Sequence, residues 1–274
     1  GGVPLGGLGT GYVELKTDGT LGRSSIFATF VPPENHNTPL WYLRKQDSFY
    51  AISAKKVPAC KAVDKLSYFG HFPIADLTAE IDATLKIGIR ALAPFILGDE
   101  SVSNTPAALF ELRLVNHATS PVDLELAMTM PGPEGRREME THRVNSDRFF
   151  NALVSRVKGG REYAVALLDG PARPISLLAE AKSPDELNAA WNSVAYPATG
   201  HGAGLVTRFQ VPAHGETKVR FLLAWYVPWF KDSSGEPHKQ RYAQRFRSVV
   251  EVLRFAAADF DTILRRVLAQ QSAI

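Results

Sequence analysis

Two carboxylates about 5 to 9.5 Å apart across a cleft can hydrolyse a glycosidic bond. Glu34, Asp76, Glu80 and Asp82 are the candidates, but Glu80 and Asp82 share the polar side of one predicted strand and nothing marks a pair. No G-x-S-x-G elbow is present. Cys60 lies in Val57-Pro58-Ala59-Cys60-Lys61 without a histidine partner. The seven histidines show no i, i+4 pairing and no H-E-x-x-H, so no metal site is assigned. No residue is assigned a catalytic role. Six residues are left as candidates for contact with a substrate or a second domain: Gly6, Gly7, Gly9, His71, Trp225 and Trp229. The glycines belong to an opening cluster that also holds Gly1, Gly2 and Gly11. It is not a phosphate loop, since no Gly-Lys-Ser/Thr occurs and Tyr12 stands where a dinucleotide fingerprint needs its third glycine. No cofactor is therefore expected. The glycines either allow positive φ and close backbone approach, or lay a loop against a pocket or a neighbouring domain. His71, inside Tyr68-Phe69-Gly70-His71-Phe72-Pro73, is a hydrogen-bonded structural histidine or a ligand contact. Trp225 and Trp229 suit either packing or a sugar ring.

The chain that must position these residues has 274 of them, with 31 basic and 28 acidic side chains and a formal charge of +3. No basic run appears, which argues against a nucleic-acid partner. A single cysteine excludes an internal disulfide framework. The longest apolar run, residues 221–230, contains Pro228 and is too short to span a bilayer. The sequence starts without methionine and stops inside a helical pattern, so it is expected to be a piece of a longer protein. Its compartment stays open.

Strand signals dominate. Asp18-Gly19 predicts a hairpin pairing 12–16 with 21–27. Residues 31–67 read as irregular. Apolar residues of one parity run through 77–90 as a single period-two pattern. Residues 110–114 and 122–128 alternate around Asn116-His117-Ala118-Thr119-Ser120-Pro121, which reads as an antiparallel hairpin with one buried face. Residues 163–168, 175–179, 204–211 and 217–225 add strands, the last two joined by a turn at Pro212-Ala213-His214-Gly215. Ser183-Pro184-Asp185-Glu186 is a capping box for one short helix. The helices of a parallel α/β fold are missing. The fold class is mainly β: a large antiparallel β-sandwich over 1–232, then a long amphipathic helix within 233–274. Its stripe is Phe246, Val250, Leu253, Ala257, Phe260, Leu264 and Val267. A helix over 239–268 would be roughly 45 Å long.

Gly1-Gly2-Val3-Pro4-Leu5-Gly6-Gly7-Leu8-Gly9-Thr10-Gly11 and Tyr68-Phe69-Gly70-His71-Phe72-Pro73-Ile74-Ala75 resemble the N-terminal domain of glycoside hydrolase family 116. The segments Ala91-Leu92-Ala93-Pro94-Phe95-Ile96 and Asn104-Thr105-Pro106-Ala107-Ala108-Leu109-Phe110, with Asn116 closing the strand, fit the same family. So do Phe221-Leu222-Leu223-Ala224-Trp225-Tyr226-Val227-Pro228 and the helix over 242–268. The family includes the non-lysosomal glucosylceramidase and bacterial β-glucosidases. The resemblance implies a supersandwich whose helix leads to an (α/α)6 toroid absent from this chain, and a carbohydrate or glycolipid substrate. It places the nucleophile glutamate and the acid/base aspartate of a retaining mechanism in that toroid, so neither is carried over. It also implies that the glycine loop and residues 69–74 lie near the domain interface or the cleft rim.

Three readings make different structural expectations. A non-catalytic domain of a retaining β-glycosidase is expected to leave the helix stripe and the Trp225 group bare. A stand-alone carbohydrate-binding module would bury the stripe on its own sandwich and show a groove of coplanar aromatics. A self-contained enzyme would need two close carboxylates with separated pKa values.

Overall fold

The computed structural model describes residues 1–27, 33–132, 139–146, 150–157, 160–176, 178, 181–193 and 202–273. Strands β1 (Gly2–Leu5), β2 (Val13–Lys16), β3 (Thr20–Ser24) and β4 (Glu34–Pro39) form a small antiparallel sheet. The expected Asp18-Gly19 hairpin is present, with Gly19 at φ +77 and Leu15 opposite Leu21. An eight-stranded sheet runs β12 (Met139–Ser146), β13 (Phe150–Val157), β14 (Arg161–Leu167), β17 (Glu216–Tyr226), β10 (Ala107–Asn116), β9 (Leu85–Leu92), β8 (Ile74–Glu80), β7 (Lys65–His71). A five-stranded sheet runs β15 (Arg173–Ser176), β16 (Gly202–Val211), β11 (Val122–Pro131), β5 (Trp41–Lys45), β6 (Ser48–Ala51). The helices are α1 (Glu100–Ser103), α2 (Pro184–Asn192), α3 (Val249–Ala258) and α4 (Phe260–Ser272).

The two large sheets share one core. Trp41 of the five-stranded sheet meets Phe110 and Phe221 of the other edge-on, at centroid distances of 5.4 and 5.0 Å. Alternation then sorts β17. Phe221, Leu223 and Trp225 enter this core, whereas Leu222 and Ala224 point to the outer face and pack under α3 and α4. Burial on both faces explains why residues 221–227 read as an almost unbroken apolar run. On the opposite side α2 covers the five-stranded sheet with Leu187 and Trp191, capped by Ser183 as expected.

Several connections differ from the sequence expectation. Residues 77–90 are two strands, because Asp82 closes a turn by accepting from Thr84 N, Thr84 Oγ1 and Leu85 N. The segment read as irregular supplies β4, β5 and β6. Strands β10 and β11 are not hairpin partners, nor are β16 and β17: each pair crosses from one large sheet to the other. Both crossings are tied by buried Asn116. Its Nδ2 donates to Ser120 O at 2.9 Å and Pro212 O at 3.1 Å, and its Oδ1 accepts from Ala118 N at 3.0 Å.

The single long helix is also corrected. Trp229–Lys231 (β18) pairs with Pro237–Lys239 (β19), and a 3-10 turn follows at Arg241–Gln244. Helix α3 begins only after Ser248, whose Oγ accepts from Glu251 N. Asp259, at φ -103 and ψ 8, separates α3 from α4. The buried stripe is shifted from the expected one: Val249, Val252, Ala256 and Ile263 are buried, while Val250, Ala257 and Leu264 are only partly covered. The stripe is not bare. The outer face of the eight-stranded sheet covers it.

Candidate functional site

The glycine loop, residues 6–11, joins β1 to β2 and lies on the segment 103–105 just before β10. A Cβ on Gly7 would stand 2.4 Å from Thr105 O and 2.7 Å from Ser103 O. Only glycine permits that approach. Leu8 N donates to Ser103 O at 2.6 Å, and Asn104 Nδ2 donates to Leu8 O at 2.8 Å. Gly6, at φ +151, would bring a Cβ to 2.5 Å from Gly11 O and 3.0 Å from the Trp225 indole. Trp225 is fully buried, and its Nε1 donates to Thr10 O at 2.6 Å. It is therefore the floor of the loop and offers no face to a sugar or a second domain. Gly9, at φ +69 with open space around it, forms the loop tip.

That tip borders an open groove of about 770 Å³, whose apolar wall includes Leu8, Phe95, Ile96, Leu97 and Phe230. Its carboxylates are occupied. Asp99 accepts from Ser101 Oγ at 2.7 Å, Arg266 Nη1 at 2.6 Å and Val102 N at 3.1 Å. These bonds hold its pKa at about 2, so at neutral pH it carries no proton to donate to a leaving group. Glu100 pairs with Arg241. A different groove, on the polar face of β8, β9, β10 and β17, carries the ion pairs Arg90–Asp76 and Arg113–Glu216. Among the described residues, no three His, Cys, Asp or Glu side chains cluster to hold a metal.

His71 ends β7, opposite Ile74, where the chain turns into β8 through a cis Phe72–Pro73 bond. Its Nδ1 pairs with Gln271 Oε1 at 2.9 Å, and its ring lies 4.9 Å from that of Phe69. Gln271 Nε2 donates to Phe72 O at 3.1 Å, and Gln270 Oε1 accepts from Leu97 N at 2.8 Å. The last turn of α4 is thereby fastened to both loops. Trp229 is largely exposed on β18. The structure thus joins Gly6, Gly7 and Gly9 with Trp225 in one support, and assigns His71 to seating α4. Residues 99, 266, 270 and 271 were not singled out in the sequence. Asp99-Glu100-Ser101 carries a helix N-cap signal, but the two glutamines act on partners 173 to 200 positions away and leave no local trace.

These features define a helix-braced antiparallel β-sandwich with a loop-built groove whose two carboxylates among the described residues, Asp99 and Glu100, are each paired with an arginine. Residues 2–168 match the family described as "beta-glucosidase 2, glycosyl-hydrolase family 116 N-term". The chain belongs to that family. A comparison with curated proteins finds no match. Among solved structures, the chain is similar to "Putative kojibiose phosphorylase from human microbiome", with a TM-score of 0.52 at 10% identity, covering 96% of this chain and 34% of that one. At that identity the likeness speaks for the fold alone. It is also similar to a galactose mutarotase related enzyme from Lactobacillus acidophilus (TM-score 0.40, 9% identity, 82% of this chain and 97% of that one). A GH36 α-galactosidase AgaB from Geobacillus stearothermophilus gives a TM-score of 0.34 at 10% identity, over 80% of this chain and 39% of that one. The chain spans about a third of the phosphorylase structure it matches.

Proposed function

We propose that the chain is the non-catalytic N-terminal domain of a retaining β-glycosidase of the β-glucosidase or glucosylceramidase type. Residues 1–232 are the sandwich unit and 233–274 the connection to an (α/α)6 toroid that carries the chemistry. The toroid's substrate is a carbohydrate or glycolipid. The domain packs against the toroid and helps to shape its cleft. The family match over residues 2–168 carries the reading, since that stretch contains the glycine loop, the His71 turn and the 93–106 loop. The occupied carboxylates of the groove agree with it: Asp99 is held ionised by Arg266 and its other donors, and Glu100 is paired with Arg241. The helix stripe and Trp225 are not bare as this reading expects; the sandwich itself covers them, and a covered stripe is what the stand-alone module expects. No row of coplanar aromatics lines the groove among the described residues, and that row is what the module reading requires.

The reading frame downstream of residue 274 is the first test. A continuation of toroid length with helical periodicity supports the proposal; a stop codon directly after Ile274 contradicts it.

A further inference from the structure

Three arginines meet around one glutamate on the outer face of the five-stranded sheet. Glu125 of β11 stands directly opposite Arg44 of β5 on one side and Arg208 of β16 on the other. Arg173 of β15 reaches the same carboxylate. Glu125 is already engaged, because its Oε2 accepts from the buried Trp191 Nε1 at 2.7 Å. Arg44 Nη1 stays 3.4 Å from it and Arg173 Nη2 3.7 Å, longer than the about 2.7–2.9 Å of a charge-assisted hydrogen bond. Arg208 is exposed and has no ion-pair or hydrogen-bond partner among the described residues. By contrast, Arg90, Arg156 and Arg266 each hold a carboxylate of their own at 2.8, 2.7 and 2.6 Å.

The three guanidinium groups are not loose. Arg44 Nε donates to Gln46 O at 3.1 Å, and its guanidinium lies 5.3 Å from the Phe49 ring centroid. Arg173 Nη1 donates to Trp191 O at the end of α2. Their side chains are only 24% and 34% exposed, so water compensates their charge incompletely. Glu125 and Arg208 form a shared wall between two hollows of about 570 and about 220 Å³. Asp123 lines the larger one and accepts from Gln210 Nε2 at 3.2 Å. Three arginines against Glu125 and Asp123 leave one positive charge uncancelled.

We propose that this groove binds the carboxylate of a sugar acid, a uronate, with Arg208 as its principal partner and Arg44 beside it. The planar fork of arginine matches a carboxylate with two parallel hydrogen bonds. One uncancelled charge calls for one carboxylate. Gln46 and Asn192 line the larger hollow and can bond sugar hydroxyls. Phe49 and Trp191 are buried beneath, so the groove reads charge and hydroxyls and offers no ring face to a neutral sugar. It lies on the α2 side of the sandwich, opposite α3 and α4. The proposal therefore goes beyond the function given above and does not depend on it.

NMR of the purified chain, titrated with sodium glucuronate at constant ionic strength, tests this. The Trp191 indole N–H reports on Glu125, and the arginine Nε–H signals report on the guanidinium groups. Both should move along one saturable curve. Glucose lacks the carboxylate, and acetate and inorganic phosphate lack the sugar; each should bind at least about tenfold more weakly. Arg208→Ala should weaken glucuronate binding at least about tenfold and leave the melting point within about 2 °C, because Arg208 supports no other side chain. Arg208→Lys keeps the charge without the fork and should recover only part of the affinity. Arg254→Ala removes an exposed arginine of α3 on the far side and should leave the affinity unchanged. The absence of a saturable shift with glucuronate would overturn the proposal. So would an equal loss in the Arg208 and Arg254 variants, which would reduce the effect to net charge. Acetate or phosphate binding as tightly as glucuronate would overturn it too, since the groove would then read charge alone.

Discussion

Replacing Gly7 with alanine should displace the glycine loop as a whole. The added methyl would sit 2.4 Å from Thr105 O and 2.7 Å from Ser103 O and Thr105 N. All three are backbone atoms of the segment leading into β10, so no side chain can turn aside to make room. Overpacking of this kind costs about 1–3 kcal/mol. Moving the loop away also removes the bonds Leu8 N to Ser103 O and Asn104 Nδ2 to Leu8 O, each contributing about 1 kcal/mol net. The combined loss is about 3–5 kcal/mol. For a domain of this size, about 2–4 °C per kcal/mol applies, so the melting point should fall by roughly 6–20 °C. Gly9→Ala is the control. It has the same chemistry, but a Cβ there meets nothing within 4 Å. Only the left-handed backbone at φ +69 is penalised, at about 1 kcal/mol. Thermal unfolding followed by circular dichroism compares the two, and amide exchange at Leu8 reports the loop directly. A Gly7→Ala loss no larger than that of Gly9→Ala, with Leu8 exchange unchanged, would refute the reasoning.

Asn116→Ala removes the three side-chain hydrogen bonds that this buried residue makes with Ser120 O, Pro212 O and Ala118 N, and should cost about 2–4 kcal/mol in urea unfolding. Asp82 titrates at about 2: burial raises its pKa, but Lys45 and the amide and hydroxyl of Thr84 outweigh that effect. A folded pKa below the usual 3.8 stabilises above that value and is lost on acidification, so stability should fall between about pH 4 and pH 2. Asp82→Asn should flatten that part of the unfolding curve. Arg266→Ala removes one of the donors that hold Asp99 at about 2, so the Asp99 carboxyl should titrate at higher pH by NMR and the last turn of α4 should exchange its amides faster. Arg220 bridges Asp169 and Asp261 and lies over the Phe260 ring. Arg220→Ala should weaken α4 docking by about 1–2 kcal/mol after solvent screening, with the difference shrinking in high salt.

The fold was legible where one face of an element decides its pattern. The Asp18-Gly19 hairpin and the Ser183 helix follow local rules and occur as read. The β10–β11 and β16–β17 turns look the same in sequence whether the strands pair or cross between sheets. The difference lies in their partners, up to about a hundred residues away, and in the long-range bond from Asn116 to Pro212. The helix stripe was misplaced because 4-3 spacing continues straight through Asp259. The sequence Ser248-x-x-Glu251 did signal the start of α3, as Glu251 N bonds to Ser248 Oγ. For the site, the glycines were visible as a cluster, but their reason was not: Thr105 and Trp225 lie about 100 and 215 positions away. Trp225 was legible as an aromatic beside an apolar strand; its burial follows from strand parity, which places it with Phe221 and Leu223 in the inter-sheet core.

The function proposed above puts this domain in a glycosidase whose chemistry lies elsewhere in the polypeptide. Aryl β-glucoside hydrolysis, with the first-formed anomer followed by NMR, tests it most directly on the purified chain and on the complete polypeptide side by side. The chain alone should show no hydrolysis, and the complete polypeptide should release β-configured product first. Turnover by residues 1–274 alone, or an α-configured first product, would contradict it.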